Sequence, residues 1–355
     1  MTEAGARLAR VEELLHAART LADPTAAASQ RLRQRLQQTT GLSRQGIDFA
    51  LEHCLEQRSN ADDLTKLLAR TPLATRALVL LSANVFVAPL RAIVLARAAS
   101  AAVLVRASRR DPALAEALLE LVPHAFQLVP ALQPQPGDHL WAYGADATLA
   151  QVRATLPSGA AFHGHGFGFG AVVVDSDAGD FDAERDARAI ALDTVLFDQQ
   201  GCLSPRLVLV RGAAGAAAKL VQALAHELQR LDLALPAGLE PPEALAERRR
   251  FVDAATYAFD VVQAGPSFVS LSHDARLLLP PAGRNLHVAC VTDAATSLAP
   301  FRCQLTCVAV RGPADLRRRL QLALPGARCC ELGQMQRPPL DGPVDLRGQL
   351  TASAA

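Results

Sequence analysis

The sequence predicts an α/β fold built on parallel sheets, and three observations carry that prediction. Short apolar, β-branched runs alternate with stretches of helical period from residue 71 onward. Half of the 355 residues are apolar and a fifth charged, the balance of an ordinary globular protein. That length holds about two domains, each with its own core.

Residues 1–70 set Leu8, Val11, Leu14 and Leu15 at helical spacing with few strand signals, which predicts a helical N-terminal segment. Glu3, Glu12 and Glu13 deny this start the pattern of a signal peptide. Residues 71–200 read as a nucleotide-binding domain, with strands in 77–87, 101–106, 126–129, 139–143 and 171–175 and helices between them. One helix opens at Asp111-Pro112, with Asp as N-cap and Pro at the first helical position. Residues 201–332 read as a second α/β unit: a strand at 207–210, helices at 213–233 and 243–258, short strands at 259–262, 268–271, 286–291 and 305–310, a helix at 313–324, and a last run at 327–332. The Pro- and Gly-rich tail, 333–355, reads as a frayed end. Strands alternating with helices imply right-handed βαβ units, and such sheets bind ligands at the carboxyl ends of their strands.

The formal net charge of +1 excludes a whole-chain attraction to nucleic acid or an anionic membrane. No apolar stretch approaches the roughly 18 residues of a membrane span. Seven cysteines, an odd number spread over a long chain, argue for reduced thiols in a cytoplasm. Cys303-x-x-x-Cys307 and the vicinal Cys329-Cys330 lack the spacing of a zinc site, and packing in apolar runs explains them, so no metal is expected.

Cys202 stands in a Gly-flanked turn between a helix-like run, 183–196, and the strand at 207–210, where a side chain can face a cleft. It is the candidate nucleophile; the competing reading is a small apolar filler in a buried turn. Asn84 follows the first strand, as a site amide or as a turn former. Arg106, Ser108, Arg109 and Arg110 follow the second strand, where guanidinium groups could hold the 2′-phosphate of an NADP-type cofactor or form a surface charge run. Gly144, which ends the strand at 139–143, completes the candidate cofactor contacts. The alternating run at 163–170 is too regular for a phosphate loop and reads as a Gly-lined wall against which a flat ligand could lie. Ser204 precedes Pro205 with no evident base and no G-x-S-x-G elbow, so Ser-His-Asp hydrolysis is unsupported.

The stretch Phe197-Asp198-Gln199-Gln200-Gly201-Cys202-Leu203-Ser204-Pro205 closely resembles the catalytic-thiol motif of the acyl-CoA reductase family, typified by the fatty acid reductase of bacterial bioluminescence, within the aldehyde dehydrogenase superfamily. Ser82-Ala83-Asn84-Val85 and the segment from Val103 through Arg106 and Ser108 to Pro112 resemble the family's first nucleotide-binding unit. Gln304-Leu305-Thr306 resembles a Gln-Thr motif of its catalytic domain, and Gly333-Gln334-Met335-Gln336-Arg337-Pro338-Pro339 its Met-Gln-x-Pro-Pro signature. The resemblance spans about residues 75–345. It implies an aldehyde dehydrogenase-like fold, a Rossmann-type parallel-sheet cofactor domain plus an α/β catalytic domain. It further implies that Cys202 attacks a fatty acyl thioester, of coenzyme A or delivered by an acyl-transferring partner protein, with Asn84 and the Cys202 N–H as oxyanion hole. Hydride from a nicotinamide then yields the aldehyde.

Aldehyde-oxidising members carry a general-base Glu just before the strand that is 171–174 here, whereas residues 162–167 hold no carboxylate. A base that activates water would hydrolyse the acyl-enzyme, so its loss favours reduction. Arg106 stands where the superfamily usually has Lys, which suits NADPH, with NADH as the alternative. Gly201 departs from the family's thiol motif, and Asp341-Gly342-Pro343 stands where its tail has a Trp. The expected assembly is a homo-oligomer, with no nucleic acid and no integral membrane. The alternatives are an aldehyde dehydrogenase working in the oxidising direction and a non-catalytic acyl-binding relative.

Overall fold

A computed structural model describes residues 2–57 and 59–348. The chain forms two compact units, one comprising the residues up to Phe167 with Pro339–Val344, the other Gly168–Pro338 with the chain from Asp345. The predicted boundary at 200/201 therefore differs from the observed division at 167/168. Strand 171–175 pairs in the second unit's sheet, and the change of sheet falls between strands 161–165 and 169–175, which no helix separates.

The first unit opens with helices α1 (Glu3–Ala22), α2 (Ala27–Thr39), α3 (Arg44–His53) and α4 (Ala61–Arg70). Thr2, Ser43 and Asn60 cap α1, α3 and α4, each side-chain oxygen taking an N–H of the first turn. Val11, Leu14, Leu15, Ala18 and Leu21 of α1 form its buried stripe. Strand β1 (Ala77–Leu80) leads to α5 (Ala88–Ala99), β2 (Val103–Arg106), α6 (Ala113–Leu121), β3 (Gln127–Leu128), β4 (His139–Tyr143), α7 (Asp146–Ala154) and β5 (Ala161–His165). The sheet order is β3-β2-β1-β4-β5, all parallel. Arg7 of α1 donates to the carbonyls of Leu68, Thr71 and Ala98, satisfying acceptors at the ends of α4 and α5.

Three expectations change here. The run 77–87 is strand only to Leu80, and Phe86 is buried at the entry to α5. Pro112, not Asp111, is the N-cap of α6, while Asp111 takes the N–H of Ala113 and the hydroxyl of Thr39. Residues 161–165, of which 163–165 read from the sequence as part of a Gly-lined wall, are the edge strand β5. Its glycine content hid the strand.

The second unit contains β6 (Phe169–Asp175), α8 (Ala183–Val195), a 3₁₀ turn (Leu196–Gln199), β7 (Pro205–Arg211), α9 (Ala214–Ala234), α10 (Pro242–Ala255), β8 (Asp260–Ala264), β9 (Ser267–Ser272), β10 (Leu286–Cys290), α11 (Ala294–Leu298), β11 (Leu305–Arg311), α12 (Ala314–Ala323) and β12 (Arg328–Cys330). The sheet order is β12-β11-β6-β7-β10-β9-β8, with only the β8–β9 pair antiparallel. Phe169, Ala171, Val173, Leu207, Leu209, Val308 and Val310 share one core beneath α11 and α12, and the intervening Val172, Val174, Val208 and Ala309 are buried as well, so burial of both faces explains the near-continuous apolar runs. Among the described residues no helix is long and apolar enough to cross a membrane. Of the predicted tail, 333–338 packs in the second unit and 339–344 in the first, while 349–355 lies outside the described residues.

Candidate active site

Helix α8 ends at Val195, and the chain then takes a turn few sequences adopt. Phe197, Asp198 and Gln199 have φ of 55°, 48° and 61°. These left-handed conformations cost roughly 1–2 kcal/mol for each non-glycine residue. Gly201, the glycine that flanks the thiol, is not among the positive-φ positions. The left-handed run turns the chain back from α8, so that Cys202 stands in the turn leading directly into β7 at the amino end of its strand.

Side chains from three other segments close around this turn. Thr306, at the start of β11, donates its hydroxyl to the Cys202 carbonyl, with the Phe169 carbonyl at 3.3 Å as a second acceptor. Gly170 of β6 lies against Leu203 and the Met335 methyl, where a Cβ would collide with both. Asp193 of α8 accepts the N–H of Gly333 at 2.7 Å and of Met335 at 3.1 Å. Gln336 donates to the Asp193 carbonyl at 3.2 Å and to the Ser204 hydroxyl at 3.0 Å. Both distant motifs named from sequence, the Gln-Thr pair and the Met-Gln segment, thus buttress the thiol turn.

Cys202 is half-buried, and its thiol is pushed up to about 11, first by burial and then by the Asp345 carboxylate; Arg347 and Thr306 pull the other way. Arg347 grips Asp345 through two bonds, at 2.8 and 2.7 Å, and donates to the Cys303 carbonyl at 2.7 Å. Asp345 and Arg347 escaped the sequence reading. A charged pair ten residues beyond a Met-Gln motif carries no signal that the chain returns to the thiol. Burial likewise lifts Asp193 to about 7 against its backbone donors.

In the first unit, the reversal of strand order lies between β1 and β4, where an open α/β sheet offers its crevice. Asn84 follows β1, Arg106 ends β2, and Gly144 follows β4, so these residues lie along one carboxyl edge. Arg110 joins two of the loops, donating its backbone N–H to the Ser108 hydroxyl at 3.2 Å and its guanidinium to the Ala83 carbonyl at 3.4 Å. Asn84 and Arg109 are exposed, Arg106 and Ser108 half-buried. A Cβ added at Gly144 would meet nothing within 4 Å. The open edge and its guanidinium groups fit a nicotinamide dinucleotide. The histidines of β5 belong to a ring ladder instead of a ligand wall: His163 stacks on Trp141 and His165 on Tyr143, both with centroids 4.6 Å apart. Burial and the neighbouring His139 and His165 push His163 down to about 4, so it is neutral at pH 7. Cys202 belongs to the second unit and Asn84 to the first. Among the described residues no cluster of three or more His, Cys, Asp or Glu could hold a metal.

Comparison with known proteins agrees with this architecture. Residues 127–348, more than half of the chain, match the family model of acyl-CoA reductase (LuxC). No curated protein matches the sequence. Among solved structures, the fold is similar to a NAD-dependent benzaldehyde dehydrogenase from Corynebacterium glutamicum, with TM-score 0.69 and 14% identity over 93% of this chain and 81% of that one. It is also similar to lactaldehyde dehydrogenase from Escherichia coli, with TM-score 0.67 and 15% identity over 92% and 79%. A third similar structure is an oxidoreductase from Marinobacter aquaeolei, with TM-score 0.70 and 12% identity over 97% and 84%. With an aldehyde dehydrogenase-like α/β fold and a family match over most of the second unit, the chain belongs to the acyl-CoA reductase (LuxC) family, oxidoreductases that act on acyl or aldehyde groups.

Proposed function

We propose that the protein reduces a fatty acyl thioester, acyl-CoA or acyl-protein, to the aldehyde through an acyl-enzyme on Cys202, with NADPH as reductant. The observation that carries this reading is the Cys202 turn, whose carbonyl is held by Thr306 and whose flank is held by Gln336. The Cys202 sulfur attacks the thioester carbonyl carbon, the bond to the departing sulfur breaks, and the Cys202 proton leaves with the released thiol. Asn84 and the Cys202 N–H would share the oxyanion, a donor of that kind contributing about 3 kcal/mol. Arg106, Arg109, Ser108 and Gly144 would hold the cofactor, which supplies hydride when bound. Two features would deny water a general base at the acyl-enzyme. Residues 162–167 carry no carboxylate, and Asp345 has both oxygens on Arg347.

The test follows NADPH oxidation upon addition of long-chain acyl-CoA, with aldehyde identified as product and the acyl adduct located by peptide mass. Wild type should show all three, and Cys202→Ala should lose adduct and turnover together. Turnover surviving in that variant removes Cys202 from the role. Aldehyde-dependent reduction of NADP without the thioester reaction would reverse the assigned direction.

A further inference from the structure

A buried polar network lies behind the thiol turn, and none of its members reaches the thiol. Its centre is Arg284, in the loop before β10, with its side chain 5% exposed and φ of 67°. Arg284 bonds Asp198 through Nε at 2.8 Å and Nη2 at 2.6 Å. The same guanidinium reaches Asp232 at 3.2 Å and the carbonyls of Leu235 at 2.7 Å and Pro236 at 3.2 Å, closing the end of α9. The other Asp198 oxygen accepts the Gly238 N–H at 2.9 Å. The neighbouring residue is held as fully. The Gln199 amide donates to the Pro205 and Asn285 carbonyls at 2.6 and 2.7 Å and accepts the Asn285 N–H at 2.9 Å.

Three successive left-handed residues persist only where their surroundings over-determine them. Here the surroundings are Arg284 on Asp198 and Asn285 on Gln199, two adjacent residues of one loop. We propose that Arg284 is the positioning residue of the thiol turn: by clamping Asp198 to the end of α9 it holds the left-handed run, and with it the direction in which Cys202 faces the acyl group. The inference rests on Cys202 being the nucleophile. Without the clamp, residues 197–199 relax toward ordinary φ and Cys202, three residues on, is displaced. A displacement of about 1 Å at a reacting atom costs roughly a hundredfold in rate.

The experiment compares Arg284→Gln, Asp198→Gly and Asp198→Asn in the full chain. Each variant is assayed for kcat with acyl-CoA, for KM of NADPH, and for the rate at which iodoacetamide alkylates Cys202. Glycine tolerates the left-handed region but cannot bind Arg284, so Asp198→Gly separates the clamp from backbone preference. The expected result is a fall in kcat of roughly ten- to a hundredfold in Arg284→Gln and Asp198→Gly, with a change of at least several-fold in alkylation and unchanged KM for NADPH. Asp198→Asn, the variant gentlest on folding, should lose kcat several-fold. Wild-type kcat and alkylation in these variants would overturn the proposal, as would full activity in Asp198→Gly alone. The alkylation arm reads the thiol independently of reduction, so an inactive wild type defeats the reductase reading while leaving the clamp decided.

Discussion

At the residue scale, Cys202 meets opposed influences. Burial and Asp345 disfavour its thiolate, while Arg347 and the Thr306 hydroxyl favour it. With the thiol at about 11, it is protonated at pH 7. Such a thiol resists oxidants and stray electrophiles until its surroundings change. Its alkylation in the free protein should therefore rise about tenfold per pH unit between pH 7 and 10. A rate that levels off below pH 8, followed by peptide mass at Cys202, would contradict the influence ascribed to burial and Asp345. The exposed Cys303 serves as internal comparison.

Residues of this kind were unevenly legible. Cys202 and Thr306 carry their motifs beside them in the chain, and a short motif survives because its members are bonded across a turn or a strand end. Arg284 and Asn285 support the same turn from 86 residues away, through contacts that depend on the loop before β10. A lone Arg-Asn pair announces no such contact.

At the scale of elements, the Met-Gln segment shows what a tail motif can do mechanically. Gly333, Met335 and Gln336 fasten the chain beyond β12 to Asp193 of α8 and to Ser204 beside the thiol. The folded protein holds the Asp193 proton to about pH 7, whereas the unfolded chain releases it near 4. Stability associated with this group is thus fully present below pH 4 and is lost as pH rises through 7, with a slope of up to about 1.4 kcal/mol per pH unit. Asparagine in its place should abolish that slope and destabilise the protein above pH 7, where ionised Asp193 accepts the Gly333 and Met335 N–H on separate oxygens and an amide offers only one. Urea unfolding at several pH values measures both effects, and a slope unchanged in Asp193→Asn would exclude Asp193 as its origin.

Strand content was legible wherever both faces of a strand are buried, since β6, β7 and β11 are nearly unbroken apolar runs. The sequence concealed β5, whose glycine and two histidines replace the usual branched residues, and α11, which is only five residues long. It also concealed the passage between sheets. β5 and β6 follow each other with only residues 166–168 between them and no helix, and their pairing partners reveal that the sheet has changed.

At the scale of the molecule, the first unit carries a reporter of its own. The sole tryptophan, Trp141, lies in the five-stranded sheet, stacked on His163. Its fluorescence reports unfolding of the unit that carries Arg106, Ser108, Arg109 and Gly144. NADPH at a hundred times its Kd should stabilise the transition seen by Trp141 by about 2.7 kcal/mol. A transition that NADPH leaves unmoved would argue against that edge as the cofactor site.

The return of residues 339–344 to the first unit also sets an order of events during synthesis. Arg91 of α5 is 4% exposed and directs its guanidinium to the carbonyls of Pro339 at 2.9 Å and Gly342 at 2.7 Å. Asp341 similarly meets Arg70 of α4 at 2.7 Å. On the ribosome, α4 and α5 emerge long before these partners exist. The nascent first unit therefore waits, with a buried cation short of two acceptors, while every strand of the second sheet is made. The first unit is thus completed only after the last strand of the second sheet has been translated.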